Sequence, residues 1–189
     1  MKKIAIFATG NGSNAENIIR YFHKKSAVRV ELIISNLHNS KVLEKAKKHN
    51  VPTCVFTKSD LNNGKVLNVL RLKKINLIVL AGFLLKIPKH IIDAYPNKVI
   101  NIHPSLLPLY GGKGMYGQHV HQKVFDAKDK ETGITIHFVN ESYDDGAIIF
   151  QAKCTLAENT QIKQIEKKVR DLEKKFFPII IDNILNEQN

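Results

Sequence analysis

The chain has 189 residues, with 29 lysines and arginines against 17 aspartates and glutamates for a formal charge of +12, and 43% of its residues are hydrophobic. That length predicts one compact soluble domain; the periodic apolar runs exclude disorder, and the longest uncharged apolar stretch, Ile75 to Leu85, is too short and interrupted to span a bilayer. Two distant cysteines, Cys54 and Cys154, exclude a disulfide framework or a four-Cys zinc site and fit a reducing cytoplasm.

Met1-Lys2-Lys3 is a basic start, but Ile4 to Phe7 is too short for the apolar core of a secretory signal and reads as a first buried strand. A helix over about Asn14 to Lys25 follows, then a strand over Val28 to Ile34 and a helix over Ser40 to Asn50. Next come a strand over Pro52 to Phe56, a helix over Asn62 to Lys74 and a strand over Leu77 to Leu80. Aliphatic runs with almost no alternation mark strands buried on both faces. The fold class is therefore α/β: a Rossmann-like, mostly parallel twisted sheet with helices on both faces. After Val99 to Ile102 the texture turns to proline and glycine, followed by strand-like runs over Gly133 to Val139 and Ala147 to Leu156. Gln161 to Leu185 reads as one closing helix, with Ile162, Ile165, Val169, Leu172 and Phe176 at spacings of three and four until Pro178 interrupts it.

The first strand ends in Ala8-Thr9-Gly10-Asn11-Gly12-Ser13-Asn14, where glycines and a helix start offer free N–H groups to an anion. With Ala15 this also matches the dinucleotide pattern G-x-G-x-x-A. The end of the second strand, Ile34-Ser35-Asn36, lacks the carboxylate that would hold a ribose, and Glu31 lies too early. A monophosphate fits better than a dinucleotide. The plain alternative is a tight turn capped by Ser13 or Asn14.

Asn101 and His103 stand two apart on a strand and so project from one face at its carboxyl end, where ligands bind in α/β sheets. Pro104 and Pro108 shape the return. Farther on, Asn140-Glu141-Ser142-Tyr143-Asp144-Asp145-Gly146 is an acidic loop between two apolar runs, an ordinary turn or the source of a carboxylate that reaches His103, orients its ring and favours its cationic form. Spacing alone leaves Asp144 and Asp145 as alternatives.

The glycine loop, the stretch Asn101-Ile102-His103-Pro104-Ser105-Leu106-Leu107-Pro108, and His137-Phe138-Val139 through Asp144 to Gly146 occur in that order across most of the chain. Together they resemble the folate-dependent formyltransferases, and among them the phosphoribosylglycinamide formyltransferase family of purine synthesis. The resemblance implies transfer of a formyl group from 10-formyltetrahydrofolate to the amine of glycinamide ribonucleotide, with no metal. It implies one domain over 1–189, with a phosphate-binding half (1–100) and a catalytic, folate-binding half (101–189). By the family's spacing after Val139 the catalytic carboxylate is Asp144, joined by Asn101 and His103. Gly12, Ser13 and Asn14 would hold the substrate phosphate and Glu173 its ribose. Gly82, Leu84, Leu85, Ile87, Asn140, Glu141 and Asp144 would receive the folate. Attack of a neutral amine on a formamide builds charge on oxygen, which a cationic His103 and the Asn101 amide stabilise, while Asp144 holds His103 and helps move a proton.

Departures from the family pattern are the longer, glycine-rich stretch Tyr110 to Gly117, which suits a mobile flap, and the lack of an arginine after the third strand, for which Lys58 substitutes. His119 and His121 lack the further ligands of a metal site. Methionyl-tRNA and sugar-amine formyltransferases and formyltetrahydrofolate deformylase share the His-Pro and later Asp. Chain length predicts against them, because they carry further domains, whereas this sequence begins on strand one and ends on the closing helix. Nucleic acid is not an expected partner: the lysines of 41–48 and 163–175 mix with acids as solvated faces, and no stacking aromatics are patterned. The net charge instead draws in anionic small substrates. No membrane partner is expected, and nothing in the sequence specifies an oligomeric state.

Overall fold

Strands that are apolar at every position need cover on both faces, and the computed structural model, which describes residues 1–187, provides it. Gln188 and Asn189, the end of the expected domain, lie outside the described residues. In chain order the elements are β1 (Lys2–Phe7), α1 (Ser13–His23), β2 (Val28–Ser35), α2 (Lys41–Lys48), β3 (Thr53–Val55), α3 (Lys58–Asn62) and α4 (Lys65–Leu72). There follow β4 (Leu77–Leu80), α5 (Lys89–Ala94), β5 (Val99–His103), α6 (Gln118–Asp126), β6 (Glu131–Phe138), β7 (Ile148–Thr155) and α7 (Ile162–Glu187). The strands form one sheet in the order β3-β2-β1-β4-β5-β6-β7. Pairing is parallel from β3 to β5, and β6 and β7 join antiparallel.

Alternate residues of the central strands feed two cores. Ile4 and Ile6 face α1, α2 and α7 through Ile18, Phe22, Val42, Val169 and Phe177. Ala5 and Phe7 face the other layer, with Phe56, Leu61, Leu70 and Ile91. Phe7 is fully buried and meets Phe83 edge-on with ring centres 5.3 Å apart. Among the described residues no helix is long and apolar enough to cross a membrane.

Three local differences from the sequence reading have physical causes. The helix expected over 62–74 is the shorter α4, and α3 precedes it as an additional helix: a Thr57–Asp60 capping box starts α3, and Gly64 turns left-handed at φ 87° to start α4. The short helices α5 and α6 begin beside Pro88 and Gly117, where composition masks periodicity. Finally, Pro178 does not interrupt α7, which runs through it. A proline there leaves the carbonyl of Lys174, four residues back, without its helical donor. Asn17 of α1 supplies the replacement, its Nδ2 donating to the Lys174 oxygen at 2.8 Å.

That substitution of donors is testable. Asn17→Ala is expected to cost about 0.5–1 kcal/mol in urea unfolding, and the cost should vanish in a Pro178→Ala background, where the restored N–H takes the same carbonyl. Equal losses in both backgrounds would show that the bond does not compensate the proline.

Candidate active site

The carboxyl ends of β1 and β4 lie at the switch point of the sheet, because the chain leaves β1 toward β2 on one side while β4 pairs on the other. Thr9 stitches this edge together. Its hydroxyl donates to Asn36 Oδ1 at 2.9 Å and accepts from the Leu84 N–H at 3.3 Å. Ser40, just before α2, donates to the Gly10 carbonyl at 2.9 Å and so fixes the glycine loop from the far side.

Gly12 precedes α1 at φ 70°, and no side chain caps the helix, so the first-turn N–H groups stay free and neither Ser13 nor Asn14 acts as the cap. The close approach of α2 also demands glycine: a Cβ on Gly12 would lie 2.4 Å from Val42 Cγ2. Asn14 turns its amide nitrogen to Glu173 Oε2 at 3.0 Å, bringing α7 against the loop. Burial pushes the Glu173 carboxyl up, an effect the Asn14 bond partly offsets. The Asn14 oxygen is buried and lacks a hydrogen-bond partner among the described residues.

The loop opens into a cleft of about 680 Å³. Its walls include Gly12, Ser13, Asn14 and Glu173 on one side, Gly82, Leu84, Leu85 and Ile87 on another, and Asn101, His103, Asn140 and Asp144 at the centre. Glu141 is the exception among the expected residues. It is exposed, pairs with Lys89 at 2.9 Å, and with Lys58 borders an adjoining hollow of about 370 Å³ that shares Leu85, Ile87 and Tyr143 with the cleft. The glycine-rich stretch from Gly112 to Gly117 lines the cleft.

At the centre, antiparallel pairing sets His137 of β6 directly across from Asn101 of β5. His137 Nδ1 lies 2.8 Å from the Phe138 carbonyl, which assigns the proton to Nδ1 and leaves Nε2 to accept from the Asn101 amide at 3.1 Å. The second Asn101 N–H points to Asp144 Oδ1 at 3.4 Å. Both Asn101 donors are therefore engaged within the cluster, and the longer contact is the weaker. His103 is buried, with Nε2 donating to the Tyr110 carbonyl at 2.7 Å and Nδ1 lying 3.4 Å from Asp144 Oδ2. Only a doubly protonated imidazole presents N–H groups to both oxygens. Gly112 completes the set, its N–H donating to Asp144 Oδ2 at 2.9 Å. Burial alone would push the Asp144 carboxyl up; the adjacent His103, His137 with its Nε2 3.6 Å from Oδ1, and the Gly112 N–H outweigh it and hold the carboxyl well below the usual range. Asp145, by contrast, is exposed and among the described residues accepts only from the Asn140 amide, at 3.3 Å.

Sequence reasoning passed over His137, the Tyr110 carbonyl and Arg170. His137 stood in plain view as a motif landmark, but its role depends on cross-strand register. Arg170, Glu166 and the buried His121 line the α6–α7 wall of the same cleft, which needs the packing of two helices to be seen. Among the described residues no group of three His, Cys, Asp or Glu converges as metal ligands.

Residues 2–181 match the family described as Formyl transferase. A phosphoribosylglycinamide formyltransferase of Bacillus subtilis is 35% identical, covering 100% of this chain and 97% of the relative. A chloroplastic phosphoribosylglycinamide formyltransferase of Arabidopsis thaliana is 34% identical over 99% of this chain, which spans 66% of that relative's length. Among solved structures, a phosphoribosylglycinamide formyltransferase from Bacillus halodurans superposes with a TM-score of 0.89 at 31% identity, covering 100% of this chain and 97% of that one.

The depressed Asp144 carboxyl predicts a pH signature. Because its folded value lies below its unfolded one, its charge contributes stability that is complete above the ordinary carboxylate range and is lost as pH falls below about 4. The melting-temperature gap between the native chain and Asp144→Asn should therefore be widest near neutrality and shrink below about pH 4. A gap independent of pH would contradict the ion pair.

Proposed function

We propose that this chain, which belongs to the formyl transferase family, moves the formyl group of 10-formyltetrahydrofolate to the amine of glycinamide ribonucleotide in purine synthesis. The observation that carries this reading is the cleft itself: an anion-binding helix start at one end, an apolar wall at the other, and a carboxylate-held imidazole between them. The free N–H groups of Ser13 and Asn14, with Gly12, receive the phosphate, and Glu173 receives the ribose hydroxyls. The apolar segment of Leu84, Leu85 and Ile87 receives the flat folate ring, with Gly82 and Asn140 beside it.

The amine nitrogen attacks the formyl carbon, and negative charge grows on the carbonyl oxygen. The positive His103 ring stabilises that charge, as does the Asn101 N–H whose 3.4 Å contact to Asp144 is easily redirected. Asp144 keeps His103 charged and oriented. Through water it relays the proton lost by the attacking amine to the folate nitrogen that leaves. Glu141, held by Lys89 at the edge of the second hollow, borders the folate side without facing the reacting atoms. The two half-buried thiols, Cys54 and Cys154, suit work in a reducing cytoplasm. Both substrates are anionic small molecules, which the +12 charge attracts.

The purified protein should consume 10-formyltetrahydrofolate only when glycinamide ribonucleotide is added. Equal consumption without the amine would identify a deformylase. Asp144→Asn should reduce the rate about 10²-fold or more with little change in affinity, while the neighbouring Asp145→Asn stays nearly silent; the reverse pattern would refute the assignment. Asn14→Ala should weaken ribonucleotide binding, read by calorimetry, and leave folate binding nearly intact. Gly12→Val is the wrong probe for this, because its side chain would strike Val42.

A further inference from the structure

Residues 110–112 touch both members of the His103–Asp144 pair through backbone atoms alone. The Tyr110 carbonyl accepts the His103 Nε2–H at 2.7 Å, and two residues later the Gly112 N–H donates to Asp144 Oδ2 at 2.9 Å. Between them Gly111 lies against the carboxylate stem: a Cβ there would sit 3.3 Å from Asp144 Cβ and 2.6 Å from Leu107 Cδ2. Tyr110 itself has φ 56°, a left-handed conformation that costs a side-chain-bearing residue on the order of 1 kcal/mol and persists only where surroundings enforce it. The enforcing contact is remote from the cleft. The Tyr110 hydroxyl donates to Asp129 Oδ2 at 2.7 Å, and Asp129 follows the end of α6, where its own N–H reaches the Val124 carbonyl at 3.3 Å. The Tyr110 ring packs against the core on the α7 side of the sheet.

We propose that Tyr110 to Gly112 form a backbone clamp on the His103–Asp144 pair, and that Tyr110, bolted by its hydroxyl to Asp129, is a positioning residue for the transfer step. The proposal rests on the reading of His103 and Asp144 as the reacting pair. Neither Tyr110 nor Asp129 touches substrate in this arrangement; both act through the peptide carbonyl that fixes the imidazole. The phenol is suited to the task, because the bond to Asp129 and burial push its ionisation up to about 12, so it remains a donor across the working range. When the bolt is removed, the left-handed Tyr110 relaxes toward an ordinary conformation and its carbonyl rotates away from His103 Nε2. The ring is then free to turn out of line with Asp144. Misplacement of a reacting group by about 1 Å costs up to 10²-fold in rate.

The test uses Tyr110→Phe, Asp129→Ala and the conservative Asp129→Asn, which retains an oxygen to accept from the phenol. Tyr110→Phe and Asp129→Ala should each lower kcat by about ten- to a hundredfold, with KM for both substrates changed by less than about twofold. The double variant should be no worse than either alone, and Asp129→Asn should recover most of the rate. In the substrate-free protein, the His103 ring nitrogen resonances should move in Tyr110→Phe and Asp129→Ala and return in Asp129→Asn. An unchanged kcat in Tyr110→Phe overturns the proposal. So does a raised KM at constant kcat, which would make the loop a binding element, or additive losses in the double variant. If the native protein transfers no formyl group, it is the functional reading that fails, and the His103 resonances alone then decide the clamp: moved signals support it and unmoved signals overturn it.

Discussion

A carboxylate taken out of water must be compensated where it sits, and the compensation of Asp144 organises the centre of this molecule. Around its two oxygens stand His103, the Asn101 amide and the Gly112 N–H, drawn from a strand end and a glycine-rich loop. None of these groups is adjacent in sequence to another or to Asp144. Their convergence requires β5 and β6 to be in register, because the pairing that sets Asn101 across from His137 also sets Val139, where the loop carrying Asp144 begins, beside Val99 at the amino end of β5, and the loop folds back from there over Asn101 and His103. Removing any one donor would leave a partly buried charge under-compensated, a larger penalty than the loss of an ordinary hydrogen bond. The site is therefore a consequence of the sheet, and the sheet's two antiparallel strands are what distinguish this edge from a purely parallel nucleotide-binding fold.

What could be read from the sequence follows the range of the interactions involved. The β-α alternation from Ile4 to Leu80 was legible because burial on both faces writes itself as continuous aliphatic runs, and the strands stand within a residue or two of those runs. The glycine loop and the Asn101-x-His103 spacing were legible because each is a local device. The residues alone left Asp144 and Asp145 open, because both sit in one turn, and the resemblance chose Asp144; in the structure Asp144, left-handed at φ 53°, is the one that meets His103. Glu141 lines the adjoining hollow and not the cleft itself for a related reason, since neighbouring residues in a turn face different ways. Pro178 misled because its compensation comes from Asn17, more than 150 residues away, where no periodicity rule looks.

The two ends of the cleft use opposite physics. At the glycine loop the protein offers uncapped N–H groups and a helix dipole, a diffuse positive end suited to phosphate oxygens. At the Leu84–Ile87 segment it offers apolar surface, including a Leu84 that is 45% exposed and so without a full set of neighbours. A ligand satisfying both must be amphipathic or must come as two molecules, and the central ion pair stands where two such molecules would meet.

The seam between α1 and α7 bears on the order of events at the ribosome. Asn14 reaches Glu173, Asn17 reaches the Lys174 carbonyl, Lys25 pairs with Asp182 at 2.5 Å, and the Lys2 ammonium meets the Leu185 carbonyl, partners 157 to 183 residues apart. A nascent chain that has emitted only the glycine loop holds half of the cleft, since the wall carrying Glu173 has yet to be synthesised. Contacts at such separation carry a large loop-closure entropy and form late. Docking of α7 thus completes the hydrophobic core and the cleft wall that carries Glu173 in one event, so that the cleft is whole only at the final stage of folding.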